Sequence, residues 1–178
     1  MKTLVLLFHP NLKNSKVNKR MVNIISKMEN VEIRNMYDLY PDFKIDVKAE
    51  QQVMEKADRI ILQFPIRWYS SPALLKQWED DVFEAGWAYT GGHALDDKEF
   101  TVAVSFGADG YEHGGYSHYT PLEILRPFQA TAYRIGMKFM KPFVLTNVAR
   151  ADDAELDDQI EQYRNFVSQE LAELDDLG

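Results

Sequence analysis

The sequence predicts an α/β protein built on one parallel sheet of five strands, doubly wound in the order 2-1-3-4-5, with helices on both faces. Three observations carry this. Short apolar runs alternate five times with segments whose apolar residues recur at helical spacing, the signature of β-α units joined by right-handed crossovers. The first of these runs, Thr3–Phe8, is apolar on both faces, as a central strand covered on both sides must be. The length, 178 residues, fits one domain, residues 1–178, with a full core and leaves little room for a second.

In order, Thr3–Phe8 is strand 1, and Val17, Met21, Ile24 and Met28 mark the helix after it. Val31–Met36 alternates and reads as strand 2, nearer an edge. Residues 37–47 form a loop with three aromatics, and Lys48–Ala57 is a short helix. Asp58–Phe64 is a buried strand 3, stopped by Pro65. Ser71-Pro72 then reads as a helix start, a hydroxyl cap followed by proline at the first helical position. Leu74, Leu75, Trp78 and Val82 form the inward stripe of this helix, which runs towards Gly86. Phe83 and Trp87 fall outside the stripe and, with Tyr89, are expected to form an exposed apolar patch suited to a two-fold contact. Glu99–Ser105 is strand 4, Thr120-Pro121 opens a helix carrying Leu122, Leu125 and Gln129, and Met137–Val148 is strand 5, kinked near Pro142. Asp152–Leu174 is the last helix, with Leu156, Ile160, Tyr163, Val167, Leu171 and Leu174 inward.

Composition narrows the function. There is no cysteine, hence no disulfide, thiolate nucleophile or thiolate metal site. Ten of the 28 acidic residues lie in 151–178 beside one arginine, so the net charge of −8 belongs to that segment and the remaining body is near neutral. No basic stripe for nucleic acid appears. The opening run is too short for a signal peptide, and no run approaches the roughly 20 apolar residues of a membrane span. A cytoplasmic location is the expectation.

In this strand order the chain reverses direction across the sheet between strands 1 and 3, and ligands bind in the crevice outside the carboxyl ends there. The loops that open into it are His9–Asn18, Pro65–Ser71 and Ser105–Tyr119. The first suits a phosphate through its hydroxyl, amides, helix N-terminus and Lys16, while Ser15 or Asn14 also reads as an ordinary helix cap. In the second, Trp68 either stacks on a flat ring or packs with Tyr69 beneath the next helix. The third is glycine-rich, which lets backbone N–H groups approach a ligand, and offers Tyr111, His113, Tyr116 and His118 as proton donors; it also reads as a plain surface loop. His113 and His118 lack a third metal ligand at motif spacing. No Gly-x-Gly-x-x-Gly, P-loop or Gly-x-Ser-x-Gly elbow occurs, which disfavours a Rossmann dinucleotide site, a nucleotide triphosphatase and a serine hydrolase.

Two longer patterns go further: His9-Pro10-x4-Ser15-x2-Asn18, and Phe64-Pro65-x2-Trp68-Tyr69-Ser70-x-Pro72-Ala73-Leu74-Leu75-Lys76-x-Trp78. With Leu125–Ala132, they resemble the flavodoxin-like NAD(P)H:quinone oxidoreductases, in particular the bacterial ancillary subunits of potassium efflux systems and, more distantly, DT-diaphorase. The resemblance spans nearly the whole chain. It implies a homodimer holding FMN, or alternatively FAD, non-covalently at the subunit interface, with NAD(P)H as co-substrate and a quinone-like acceptor. It also implies a peripheral association with a membrane transporter. His9, Ser15, Lys16, Val17 and Asn18 would face the flavin phosphate and ribityl chain; Pro65, Ile66, Arg67 and Trp68 would lie along the ring. Ser105, Phe106, Gly107 and Ala108 stand where relatives usually read Thr-Thr-Gly-Gly. Arg67 replaces a residue more often apolar or neutral, and would shape the substrate mouth or pair with a nicotinamide phosphate. Tyr111 and His113 match the catalytic pair of the distant relatives. FMN is favoured over FAD because the chain has no evident extra segment for an adenosine. A regulatory flavoprotein partner of a potassium efflux transporter and a flavodoxin-type electron carrier are the alternative functions.

Overall fold

A computed structural model describes residues 1–174. Its sheet has the expected order, β2-β1-β3-β4-β5, all pairs parallel. The strands are β1 (Thr3–Leu7), β2 (Val31–Asn35), β3 (Arg59–Pro65), β4 (Glu99–Ser105), β5 (Lys138–Phe139) and β6 (Phe143–Leu145). β5 and β6 are the two halves of the expected fifth strand. Both pair with β4, and the interruption falls at Pro142, which has no N–H to give a ladder.

The helices are α1 (Asn18–Ile25), α2 (Met36–Leu39), α3 (Val47–Lys56), α4 (Ala73–Val82), α5 (Pro121–Ile124), α6 (Arg126–Arg134) and α7 (Asp153–Ser168). Alternation along the central strands divides the core into two layers. Val5, Ile61 and Ala103 point to one face, where Met21 and Ile25 of α1 meet Leu156, Ile160 and Tyr163 of α7. Leu4, Leu6, Ile60, Leu62, Val102 and Val104 point to the other, beneath α3, α4 and α6. α1 is tied to α7 at the surface as well, since Arg20 reaches both Asp153 and Asp157. The acidic N-terminus of α7 is thus partly neutralised by the helix beside it.

Several sequence expectations are corrected by long-range contacts. Ser71 does not cap α4; the N-cap is Pro72, and the Tyr37 hydroxyl receives the Leu74 N–H at 3.4 Å. α4 stops at Val82 instead of running to Gly86, and the buried Gln51 amide donates to the Val82 carbonyl at 3.1 Å. The chain then turns inward, so Phe83 is buried edge-on against Trp78. Trp87 packs on the same core and donates Nε1–H to Glu55, while Tyr89 lies under the Arg134 guanidinium. The expected exposed patch of Phe83, Trp87 and Tyr89 does not exist. α7 ends at Ser168 rather than Leu174. The following segment crosses the outer side of β5, where Lys141 N–H bonds Ala172 and Leu174 N–H bonds Phe139. The helix expected from Thr120 is broken at Leu125 into α5 and α6.

Among the described residues no helix is long and apolar enough to cross a membrane. No group of three or more His, Asp or Glu among them is placed to hold a metal ion.

Candidate functional site

The carboxyl ends of β1, β3 and β4 stand together, with Leu7 opposite Gln63 and Pro65 opposite Ser105. Because β2 lies beyond β1 and β4 beyond β3, the loops after β1 and β3 leave in opposite directions and a crevice opens between them. It is an open cleft of about 540 Å³, within the roughly 300–1,000 Å³ usual for small-ligand sites. His9, Ser15, Lys16, Val17, Asn18, Pro65, Ile66, Arg67, Ser105 and Gly107, all expected cofactor contacts, line it. Asn11, Asn14, Val148 and Ala149 complete the wall. The last two come from the loop after β6, which sequence reasoning passed over; Leu145 pairs with Ser105, so that loop leaves the same sheet edge.

Each lining group is held by its neighbours. The Ser15 hydroxyl accepts the Asn18 N–H at 3.0 Å and keeps its own O–H to donate; the N-cap of α1 is Val17, not Ser15 or Asn14. Asn18 is almost wholly buried: its amide donates to Ser105 Oγ at 3.0 Å, and its Oδ1 accepts from Gln63 at 3.2 Å. Gln63 in turn accepts from the Tyr163 hydroxyl at 3.0 Å. A buried chain of side-chain hydrogen bonds therefore runs from α7 under the sheet edge to the cleft wall. Burial and, next, the positive charge of Arg67 lower the His9 pKa, so its imidazole is neutral at pH 7. Its Nδ1 accepts the Asn11 N–H at 3.1 Å, which assigns the proton to Nε2 as a donor.

The cleft favours an anion. No Asp or Glu lines it, although the chain as a whole carries −8. Lys16 stands at its edge, 3.6 Å from Asp153, and Arg67 has no acidic partner among the described residues. The backbone N–H groups of Lys16, Val17 and Gly107 likewise have no partner among the described residues. Unpaired N–H groups beside a helix N-terminus are what a phosphate requires, and a ring carbonyl takes the same donors. These groups fit the phosphate and the heteroaromatic edge of a flavin.

Trp68, Phe106 and Ala108, also expected contacts, are not in this lining. The Phe106 ring is buried in the core, its N–H donates to Leu145, and its carbonyl accepts from Val148. Trp68 is 94% exposed, so the packed alternative for this residue is excluded. Trp68 and Tyr69 both adopt positive φ, 46° and 61°, in a two-residue turn closed by reciprocal Arg67–Ser70 bonds of 2.8 and 3.0 Å. Non-glycine residues pay about 1–2 kcal/mol each for that conformation. No packing of the indole offsets this; the turn holds Trp68 out beside the cleft.

The third loop places Tyr111 and His113 outside the cleft lining as well. Tyr111 is half-buried, edge-on to Phe106 at 4.5 Å and near Tyr69 and Tyr116. Burial, then the Tyr116 hydroxyl, raises its pKa to about 12, so it is a phenol at neutral pH. Gly110 (φ 78°) supports this cluster, since a Cβ there would fall 2.6 Å from the Tyr116 ring. His113 is exposed and bonded through Nε2 to Glu123 at 2.9 Å, on the capping box of α5.

A doubly wound parallel sheet of order 2-1-3-4-5, with an acid-free crevice at its switch point, defines the flavodoxin-like class of α/β proteins. The sequence profile of the flavodoxin-like fold family matches residues 1–167, and the chain belongs to that family, within its NAD(P)H oxidoreductase and quinone reductase branch. It is 42% identical over 163 residues to the glutathione-regulated potassium-efflux system ancillary protein KefF of Enterobacter sp. (strain 638), covering 90% of this chain and 92% of that one. Among solved structures, general stress protein 14 from Treponema denticola in complex with FMN superposes with a TM-score of 0.89 at 36% identity, covering 94% of this chain and 98% of that one. An NADPH-quinone reductase from P. pentosaceus superposes with a TM-score of 0.87 at 30% identity, covering 94% and 98%.

Proposed function

We propose that this protein is an FMN-dependent NAD(P)H:quinone oxidoreductase. The observation that carries the reading is the acid-free cleft at the β1/β3 switch point, with unpaired amides on two of its loops and Arg67 on a third. A bound flavin would supply two-electron hydride transfer between a reduced nicotinamide and a flat acceptor. The chain's own contribution is placement and charge. The Ser15 hydroxyl and the Lys16 and Val17 amides hold the phosphate. Asn18 is fixed from behind by Gln63, and it fixes Ser105 so that the Ser105 hydroxyl points one way. The Gly107 amide and Arg67 favour negative charge on the ring edge, and His9 Nε2–H is a donor for the phosphate and ribityl chain. Tyr111 and His113, the latter oriented by Glu123, are the candidate proton donors from the third loop; acid assistance of this kind contributes ~10²–10⁴-fold.

Trp68 is assigned to the mouth of the site. Trp68→Ala is expected to leave the apo-protein's unfolding free energy within about 0.5 kcal/mol, as for other exposed positions, while weakening flavin or acceptor binding at least severalfold. Urea unfolding beside a flavin fluorescence titration checks both; unchanged affinity would remove Trp68 from the site.

The exposed aromatics Trp68, Tyr69, Tyr116 and Tyr119 support a homodimer that closes over this mouth. Sedimentation equilibrium should find two copies per particle, and a fully active monomer would refute the pairing. Cytoplasmic location and FMN rather than FAD belong to the same reading. The 42% identity to KefF favours a second role, as ancillary partner of a potassium efflux transporter.

The test of the whole is direct. Protein reconstituted with FMN should show bound-flavin absorbance, and mass analysis should identify the released cofactor. Initial-rate lines at several quinone concentrations should be parallel, as when donor and acceptor take turns at one site. Failure to hold FMN or FAD, oxidised or reduced, would end the enzyme reading.

A further inference from the structure

A second cleft, of about 490 Å³, opens beside the first, and His9 and Asn11 belong to both walls. Its own lining includes Lys13, Lys19, Tyr37 and Asp38. Lys13 and Lys19 have no ion-pair or hydrogen-bond partner among the described residues, unlike their neighbours Lys16 and Arg20, which are engaged by Asp153 and Asp157. Across from them, Asp38 accepts the Asn35 side-chain amide through Oδ2 at 2.6 Å and keeps Oδ1 unbonded. Tyr37 supplies a flat wall that is fixed at both ends. Its ring meets Phe43 edge-on at 6.0 Å, and its hydroxyl accepts from Leu74 at the start of α4.

Two unpaired cations suit a phosphate, a free carboxylate oxygen accepts sugar hydroxyls, and an aromatic wall stacks a base. We propose that this cleft seats an adenosine phosphate, the far half of a dinucleotide whose near half occupies the first cleft. Lys13 and Lys19 hold its phosphate, and Asp38 receives a ribose hydroxyl. The chemistry is shared by the 2′-phosphoadenosine end of NADPH and the adenosine monophosphate end of FAD. The link between the two clefts rests on the proposed function; binding of an adenosine phosphate does not.

Calorimetric titration of 2′,5′-ADP and of 5′-AMP into apo-protein, FMN-loaded protein and FAD-loaded protein tests this, with the variant Lys13→Ala/Lys19→Ala alongside. Wild type should bind at least one of the two, and the variant should bind it about tenfold or more weakly, a loss of about 1.4 kcal/mol. Both lysines lie on exposed surface, and circular dichroism of the variant should match wild type. If FMN-loaded protein binds 2′,5′-ADP and NADPH displaces it, the cleft serves the nicotinamide donor. If FAD loading blocks the titration and FAD outbinds FMN only in wild type, the cleft serves FAD. Either result upholds the proposal. No binding of either probe at millimolar concentration, or equal binding by the variant, overturns it. Flavin absorbance recorded on the same samples keeps the two readings apart: loss of flavin binding with adenosine phosphate binding intact sinks the proposed function alone.

Discussion

Gln63→Leu is expected to lower the unfolding free energy of the apo-protein by about 2–5 kcal/mol and to weaken flavin binding by an order of magnitude or more. Leucine preserves the bulk of the side chain but makes no hydrogen bonds. In the native protein Gln63 is wholly buried; it accepts from Tyr163 and donates to both the Oδ1 and the backbone carbonyl of Asn18. The substitution strands the Tyr163 hydroxyl and Asn18 Oδ1 away from water, and each buried orphan costs about 1–3 kcal/mol. Tyr163 cannot escape by ionising, since burial pushes its phenol far above the usual range. Asn18, no longer held from behind, turns and releases Ser105, so the cleft wall loses its arrangement and flavin affinity falls with it. Tyr163→Phe alone should cost less, because only Gln63 Oε1 is orphaned. The double variant should be less destabilised than the sum of the singles, since the two share one interaction. Urea unfolding of the four proteins checks the cycle. Strict additivity, or unchanged flavin affinity in Gln63→Leu, would show that the network does not support the cleft.

This network was invisible in the sequence, and the reason is physical. Gln63, Asn18, Ser105 and Tyr163 lie on four separate elements, and nothing in their local spacing brings them together. The sheet was legible because strand runs such as residues 60–62 are buried on both faces and so read as continuous apolar stretches. Most of the first cleft followed, because the switch point is a consequence of strand order. Helix ends were not legible. Apolar periodicity continues past Val82 and past Ser168, but the helices stop where distant groups take their last carbonyls. Gln51 bonds Val82, and the buried Arg59 guanidinium bonds the carbonyls of Val167 and Gln169 at 3.3 and 3.0 Å while its Nε holds Glu99 at 2.5 Å. A cation there also suits the negative end of α7. The second cleft was missed for a similar reason: Lys13, Lys19 and Tyr37 mean nothing until α2 is folded against the first loop.

Glu79→Gln should make the protein more stable at pH 8 by about 3 kcal/mol and at pH 5 by less than about 1 kcal/mol. Glu79 lies on α4, in the wall of a cleft of about 410 Å³ facing α6. Its Oε1 is inaccessible to water and has no hydrogen-bond partner among the described residues. Burial raises its pKa from 4.5 to about 7, with Lys76 opposing and Asp80 adding to the rise. In the unfolded chain the carboxyl ionises near 4.5; in the folded chain it keeps its proton to about 7. Between those values the folded state binds more protons, so stability falls as pH rises across the window and is lowest above it. A shift of that size corresponds to about 3 kcal/mol at 1.36 kcal/mol per unit. Glutamine imitates the protonated acid and removes the dependence. Glu123, held near 2 by Thr120 and His113, and Asp153, lowered by Arg20, act with opposite sign, gaining stability as pH rises, but below about 4.5. His9, whose pKa is lowered, also gains stability as pH rises towards 6.5, which overlaps the window and partly masks Glu79 in the wild type. The difference between variant and wild type cancels that contribution. Urea midpoints at pH 5, 6, 7 and 8 should therefore diverge steadily between the two proteins, and parallel curves would mean that Glu79 is ionised throughout.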